Sequence, residues 1–130
     1  MRVFLVAEHS ALRKSIEILL ADEGLEVCSW AAHGVSALGE LCLKSDVVVV
    51  SLSGGGEGGL DLVREIGARP GSPPRIVLSP DDDIQSIRRA FAAGARGYVT
   101  NRDAPEALAD AVREVYAGRV YEPRLRVNHD

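Results

Sequence analysis

Residues 46–51 read DVVVVS, four consecutive valines between an acid and a hydroxyl. β-Branched side chains favour extended backbone, and a strand that is apolar at every position has neither face in water. Such a strand belongs in the middle of a parallel sheet. Two strand-length runs precede it, RVFLVA at Arg2–Ala7 and LEVCSW at Leu25–Trp30. Two more follow, RIVLS at Arg75–Ser79 and RGYVT at Arg96–Thr100. The stretches between them carry helical spacing. In His9–Glu23 the residues Leu12, Ile16, Leu19 and Leu20 fall on one face, and Gly24 stops the helix. Gly34–Lys44 turns Leu38, Leu41 and Cys42 inward, and Leu60–Ile66 is a short helix. Asp82–Ala93 and Ala104–Ala117 complete the set, the last with Pro105 and Glu106 in a first turn that suits both. Between Ala68 and Pro74, ARPGSPP is a turn, because proline fixes φ and removes donors. Five βα units in series predict an α/β fold, a doubly wound parallel five-stranded sheet with helices on both faces. Periodicity fades from Gly118. The domain is therefore expected over residues 1–120, with 121–130 a tail or the start of a linker.

The bulk numbers fit one domain. The chain has 130 residues, 46% hydrophobic and 26% charged, with a net charge of −4. A mildly acidic domain whose basic residues are scattered is a poor binder of nucleic acid, since phosphate neutralisation needs a clustered basic face. No direct nucleic-acid contact is expected. No apolar run approaches a membrane span, and the amino terminus lacks the features of a signal peptide, so the cytoplasm is the expected compartment. Cys28 and Cys42 form no CxxC pair and are expected as buried or half-buried free thiols. No metal or cofactor is expected. Asp81, Asp82 and Asp83 are read as a helix start that satisfies free N–H groups, and His9 likewise as a helix start.

Ligands of open parallel sheets sit at the carboxyl ends of the strands. Here those ends are Ala7-Glu8-His9, Ser51 to Gly59, Ser79-Pro80 and Thr100-Asn101. From Met1 to about Leu125 the chain resembles the receiver domains of bacterial response regulators. VFLVAEHSALR resembles the family's first strand and its exit, and DVVVVSLSGGGEGGLDLVREI the third strand, loop and helix. The run from RIVLSPDDD to AVREVYAGRVY is similar to the last two βα units, above all in the subgroup that carries LuxR/NarL-type helix-turn-helix output domains. The resemblance implies a CheY-like, flavodoxin-like three-layer sandwich with strand order 2-1-3-4-5.

It also implies a site that has lost its chemistry. The family transfers a phosphoryl group to an aspartate at the end of strand three, which needs a carboxylate nucleophile, Mg²⁺ on oxygen ligands and a cation. Ser51 stands at the nucleophile position, Ala7 and Glu8 at the acidic pair, and Asn101 at the lysine. Ser79 and Tyr98 stand at the family's switch positions. The chain is thus identified as a degenerate pseudo-receiver, not an enzyme, that works without phosphorylation through a protein partner or a second copy of itself. Ala107, Ala111 and Tyr116 are candidate contact residues on the last helix. Trp30 either packs under the second helix or forms an exposed anchor. The glycines Gly54, Gly55, Gly56, Gly58 and Gly59 make either a mobile loop or an anion cradle of N–H groups. The subgroup resemblance implies a DNA-binding output domain beyond Val120 in a longer chain. A chain complete at residue 130 is instead a stand-alone adaptor. The alternative function is a small-ligand sensor whose neutral cleft is framed by Ser53 and Ser79. A flavodoxin-like oxidoreductase is disfavoured, because AEHSA after strand one lacks a hydroxyl-rich phosphate loop.

Overall fold

The computed structural model describes residues 1–30, 44–52 and 58–123, with the side chain of Trp30 outside that description. The apolar runs form β1 (Arg2–Val6), β2 (Glu26–Trp30), β3 (Val47–Ser51), β4 (Arg75–Ser79) and β5 (Gly97–Thr100). The described helices are α1 (Ser10–Asp22), α2 (Gly58–Gly67), α3 (Ile84–Ala92) and α4 (Ala104–Tyr116). All pairings are parallel, and the order across the sheet is β2-β1-β3-β4-β5. The helix expected over Gly34–Lys44 and Cys42 lie outside the described residues, apart from Lys44 in a turn.

The valine run explains the layering. Side chains alternate across a strand, so Val47 and Val49 join Val3, Leu5, Ile76 and Leu78 in one core with Ile16 and Leu20 of α1 and Leu108 and Val112 of α4. Val48 and Val50 join Phe4, Val6, Val77 and Tyr98 in a second core with Leu62, Val63 and Ile66 of α2 and Ala90 of α3. All four valines are buried. A strand with one wet face could not have carried them, and the three-layer sandwich follows.

Local signals set the helix ends. Gly24 takes φ of +82° after α1, and the Leu25 N–H returns to the Leu20 carbonyl at 3.1 Å, which closes the end in a Schellman-like wrap. Asp83 caps α3, its carboxylate accepting from the Ser86 N–H at 3.1 Å. The Ser86 hydroxyl, donating to the same carboxylate at 2.7 Å, and then that N–H hold the Asp83 carboxyl below its usual range. His9 precedes α1 but contributes no side-chain cap.

Two expectations are corrected. α2 starts at Gly58, so Gly58 and Gly59 belong to a helix and not to a loop. The Gly59 backbone lies so close to Leu52 that a Cβ there would strike its side chain. Cys28 is exposed on the edge strand β2, with Phe4 opposite it on β1. Sheet contacts also continue one residue past 120. Tyr121 forms a parallel bridge to Gly97, its N–H donating to the Arg96 carbonyl at 2.9 Å and its carbonyl accepting from the Tyr98 N–H at 3.1 Å. A single extended residue has no periodicity to read, which is why the pattern gave no warning of it.

Candidate functional site at the carboxyl ends of the strands

Parallel pairing carries every strand's carboxyl end to one side of the sheet, and register sets the neighbours there. Val6 pairs with Val50, Ser51 with Leu78, and Ser79 with Thr100. The row Ala7, Ser51, Ser79 and Asn101 therefore lies along one edge of the molecule, with Glu8 one residue beyond Ala7. Ala7 is buried, and its carbonyl accepts from the Arg13 guanidinium at 3.2 Å. Glu8 is exposed and Ser51 half-buried. The Leu52 N–H continues the ladder to the Leu78 carbonyl at 2.8 Å. Among the described residues no three His, Cys, Asp or Glu side chains converge as metal ligands.

The hydroxyls in the row brace backbone. Ser79 is buried and its Oγ accepts from the Asp81 N–H at 3.1 Å. Thr100, also buried, accepts from the Asp103 N–H at 3.2 Å. The Asn101 N–H donates to the Ser79 carbonyl at 2.8 Å, whereas its side-chain Oδ1 is buried with no hydrogen-bond partner among the described residues. An orphaned buried acceptor is costly, about 1–3 kcal/mol, and such groups are few in folded proteins.

Tyr98 is the most constrained of the expected site residues. Its ring is wholly buried in the core under α3, and its hydroxyl donates to the Asp81 carbonyl at 2.6 Å. Burial pushes the phenol above the ordinary tyrosine value, with Asp81, Asp83 and Asp82 adding to the rise and Ser79 opposing it. Ring, hydroxyl and peptide N–H thus tie one residue to α3, to the loop after β4 and to the Tyr121 segment.

The expected contact residues separate. Tyr116 is exposed and Ala107 is half-buried against the core. Ala111 is fully buried, a correction: its position on α4 faces the sheet between Leu108 and Val112, and a small side chain lets helix and strands approach. Trp30 ends β2 opposite Val6. Gly54, Gly55, Gly56 and Ser53 lie outside the described residues. Two residues escaped the sequence reading. Arg75 opens β4 and spans the amino-terminal side of the sheet, donating to the carbonyls of Pro73 at 2.8 Å and Gly94 at 2.7 Å. Its guanidinium lies below its ordinary value, through burial and then the neighbouring Arg96. Tyr121 is the other; the signal that could have found it is an aromatic in a polar stretch, just past a helix stop.

A five-stranded parallel sheet in this order, with the strand-end row and an aromatic on β5, defines a receiver domain. The family model for the response regulator receiver domain matches residues 3–113, and the chain belongs to that family. Among curated proteins it is similar to the response regulator UvrY of Escherichia coli (32% identical, 92% of this chain and 56% of that protein). It is also similar to the response regulator GacA of Pseudomonas aeruginosa (33% identical, 92% of this chain and 57% of that protein). The chain thus spans just over half the length of the curated relatives it matches. Among solved structures, a LuxR-family two-component response regulator from Aurantimonas sp. superposes with a TM-score of 0.82 at 30% identity, over 92% of this chain and 87% of that one.

Proposed function

We propose that this receiver domain signals without aspartyl phosphorylation, through a protein partner or a second copy of the chain. The observation that carries the reading is the side-chain chemistry around the end of β3: a neutral hydroxyl on Ser51, with a methyl group on Ala7 beside it. A serine hydroxyl needs a base to become a nucleophile, and neither Ala7 nor Asn101 is one. Mg²⁺ does not fit this donor set. It demands near-octahedral oxygen ligation, and of the row only Glu8 offers a carboxylate. Asn101 brings an amide where the family's lysine brings charge, so an incoming anionic group meets no fixed cation there.

The proposed contact surface lies on α1 and α4, where Ile18 and Tyr116 expose 64% and 55% of their surface. The edge of β5, another surface open to pairing, already holds Tyr121. As part of a longer response regulator the domain would relay partner binding to an output domain. The test is incubation with acetyl phosphate and Mg²⁺ followed by intact-mass measurement. An unchanged mass is expected. Stoichiometric gain of one phosphoryl group, lost on Ser51→Ala, would overturn the reading.

One observation favours a second reading, a small-ligand sensor: the Asn101 Oδ1 at the end of β5 is a buried acceptor with no partner among the described residues, which a ligand donor reaching it would satisfy. A metabolite that raises the melting temperature of the wild type but not of Asn101→Leu selects this reading.

A further inference from the structure

Among the described helices α3 is the one held least by its own face. Of its nine residues only Ala90 is fully buried, whereas α2 buries four and α4 six. Ile87 and Phe91 pack partly against the core, and Ile84 is half exposed. Side chains from the neighbouring strands hold its two ends instead. At the entry, Asp81 is gripped twice through its backbone. Its N–H donates to the Ser79 Oγ at 3.1 Å, and its carbonyl accepts from the Tyr98 hydroxyl at 2.6 Å. At the exit, the Arg75 guanidinium donates to the Gly94 carbonyl at 2.7 Å. It is anchored on its other side to the Pro73 carbonyl at 2.8 Å and the Ser72 Oγ at 3.3 Å. A Cβ at Gly67, the last residue of α2, would stand 3.0 Å from this guanidinium, and one at Gly94 3.3 Å. The group thus lies against backbone at the ends of both helices.

The two holds differ in kind. The entry bonds join neutral groups, and Ser79 and Tyr98 are both buried. The exit hold is a cation on three neutral acceptors. Its Nε is buried with no partner among the described residues, and Arg96 is a like charge beside it. A charged donor makes strong hydrogen bonds, but a buried donor left unmade offsets much of that gain. Taking a guanidinium out of water without a carboxylate partner opposes the closed position further. Swung outward, the side chain regains water at Nε and around its charge. Closed and open positions therefore lie close in free energy, as a two-state element requires. We infer that Arg75 is a releasable latch on the exit of α3, and that the helix swings about its Tyr98-held entry when the latch opens. A groove of about 380 Å³ between α3 and the Tyr121 segment, lined by Ile84, Ile87, Arg88, Phe91, Glu122 and Pro123, changes width with that swing. Arg75 is in this sense a positioning residue, which sets how far the apolar side of α3 stands from the β5 edge. It lies at the opposite end of the sheet from the strand-end row, so the inference holds whether or not that row handles phosphate.

The experiment is native-state hydrogen exchange, read by NMR on the 130-residue chain, in wild type and Arg75→Met. Methionine keeps an apolar stem and loses both the charge and the donors. The exit amides are those of Ala93, Gly94 and Ala95, bonded to the carbonyls of Arg89, Phe91 and Ala90. They are expected to exchange about three- to tenfold faster in the variant, the scale of one hydrogen bond. The entry amides of Ser86 and Ile87, both bonded to Asp83, are expected to keep their wild-type rates. The melting temperature is expected to stay within a few degrees. Unchanged exit amides overturn the latch, and entry amides that quicken as much as the exit overturn the pivot. Uniform quickening with a larger fall in melting temperature makes Arg75 an ordinary brace of the fold and also overturns the inference. Arg96→Gln tests the opposite sign, at an exposed position where the fold is kept. Removing the like charge strengthens the latch, so the exit amides are expected to slow about twofold at low salt. Exit rates that stay the same or rise in that variant overturn the latch as well.

Discussion

Tyr98 shows what a single residue contributes here. Its phenol stays protonated in the folded protein above the ordinary tyrosine value, mainly because it is buried. In the unfolded chain the same group ionises near pH 10. The stability it contributes is therefore complete below that pH and is lost as pH rises through the higher native value. Urea denaturation across the alkaline range is expected to show this fall in the wild type and a shallower one in Tyr98→Phe. At neutral pH the same substitution removes the hydrogen bond to the Asp81 carbonyl, at an expected cost of about 0.5–1.5 kcal/mol. At this scale the sequence was informative about identity and silent about environment. Ser51, Ala7, Glu8, Ser79 and Asn101 could be named from strand ends alone. That Ser79 and Thr100 use their hydroxyls on nearby N–H groups, and that Asn101 Oδ1 has no partner among the described residues, depends on loop geometry that no local pattern encodes.

At the scale of elements, α4 illustrates how a helix face can be misassigned by chemistry that fits both answers. Small residues suit an interface, and they equally suit close packing against a sheet. Ala111 does the second. Ala111→Leu is expected to destabilise the fold by about 1–3 kcal/mol through overpacking, whereas Tyr116→Ser stays within about 0.5 kcal/mol, as surface changes do. Denaturant midpoints compare the two directly. Gly97 at the start of β5 makes a similar test. A Cβ there would lie 3.1 Å from a Val115 methyl, 3.2 Å from Ile76 and 3.4 Å from the Tyr121 Cβ. Gly97→Ala is expected to cost about 1–3 kcal/mol and to loosen the Tyr121 bridge, read as faster exchange at the Tyr98 amide. Element cores were legible because apolar runs and helical spacing report burial. The boundaries were less so: the glycines before Leu60 read as loop, yet Gly58 and Gly59 open α2, since a helix carried by Leu60, Leu62, Val63 and Ile66 tolerates glycine in its first turn.

For the whole molecule, the order of strands rests on the valine run. A strand buried on both faces sits centrally, and β3 lies between β1 and β4. The sheet's carboxyl edge gathers a row with one side-chain carboxylate, at Glu8, while its β5 edge holds Tyr121. Two consequences can be separated by one measurement, sedimentation velocity over a concentration series with and without Mg²⁺ and beryllofluoride, which mimics an aspartyl phosphate. Because Ser51 offers no carboxylate for the fluoride complex to cap, the sedimentation coefficient is expected to be the same with and without it at every concentration. If the coefficient also climbs with concentration, the pairing belongs to the α1 and α4 side, and Ile18→Ser should abolish it while leaving the melting temperature within a few degrees, since Ile18 lies outside both cores. If the coefficient stays that of a monomer, the partner is another protein. A shift that appears only with beryllofluoride means that the strand-end row still binds the anion, and phosphorylation-independence fails on that result alone.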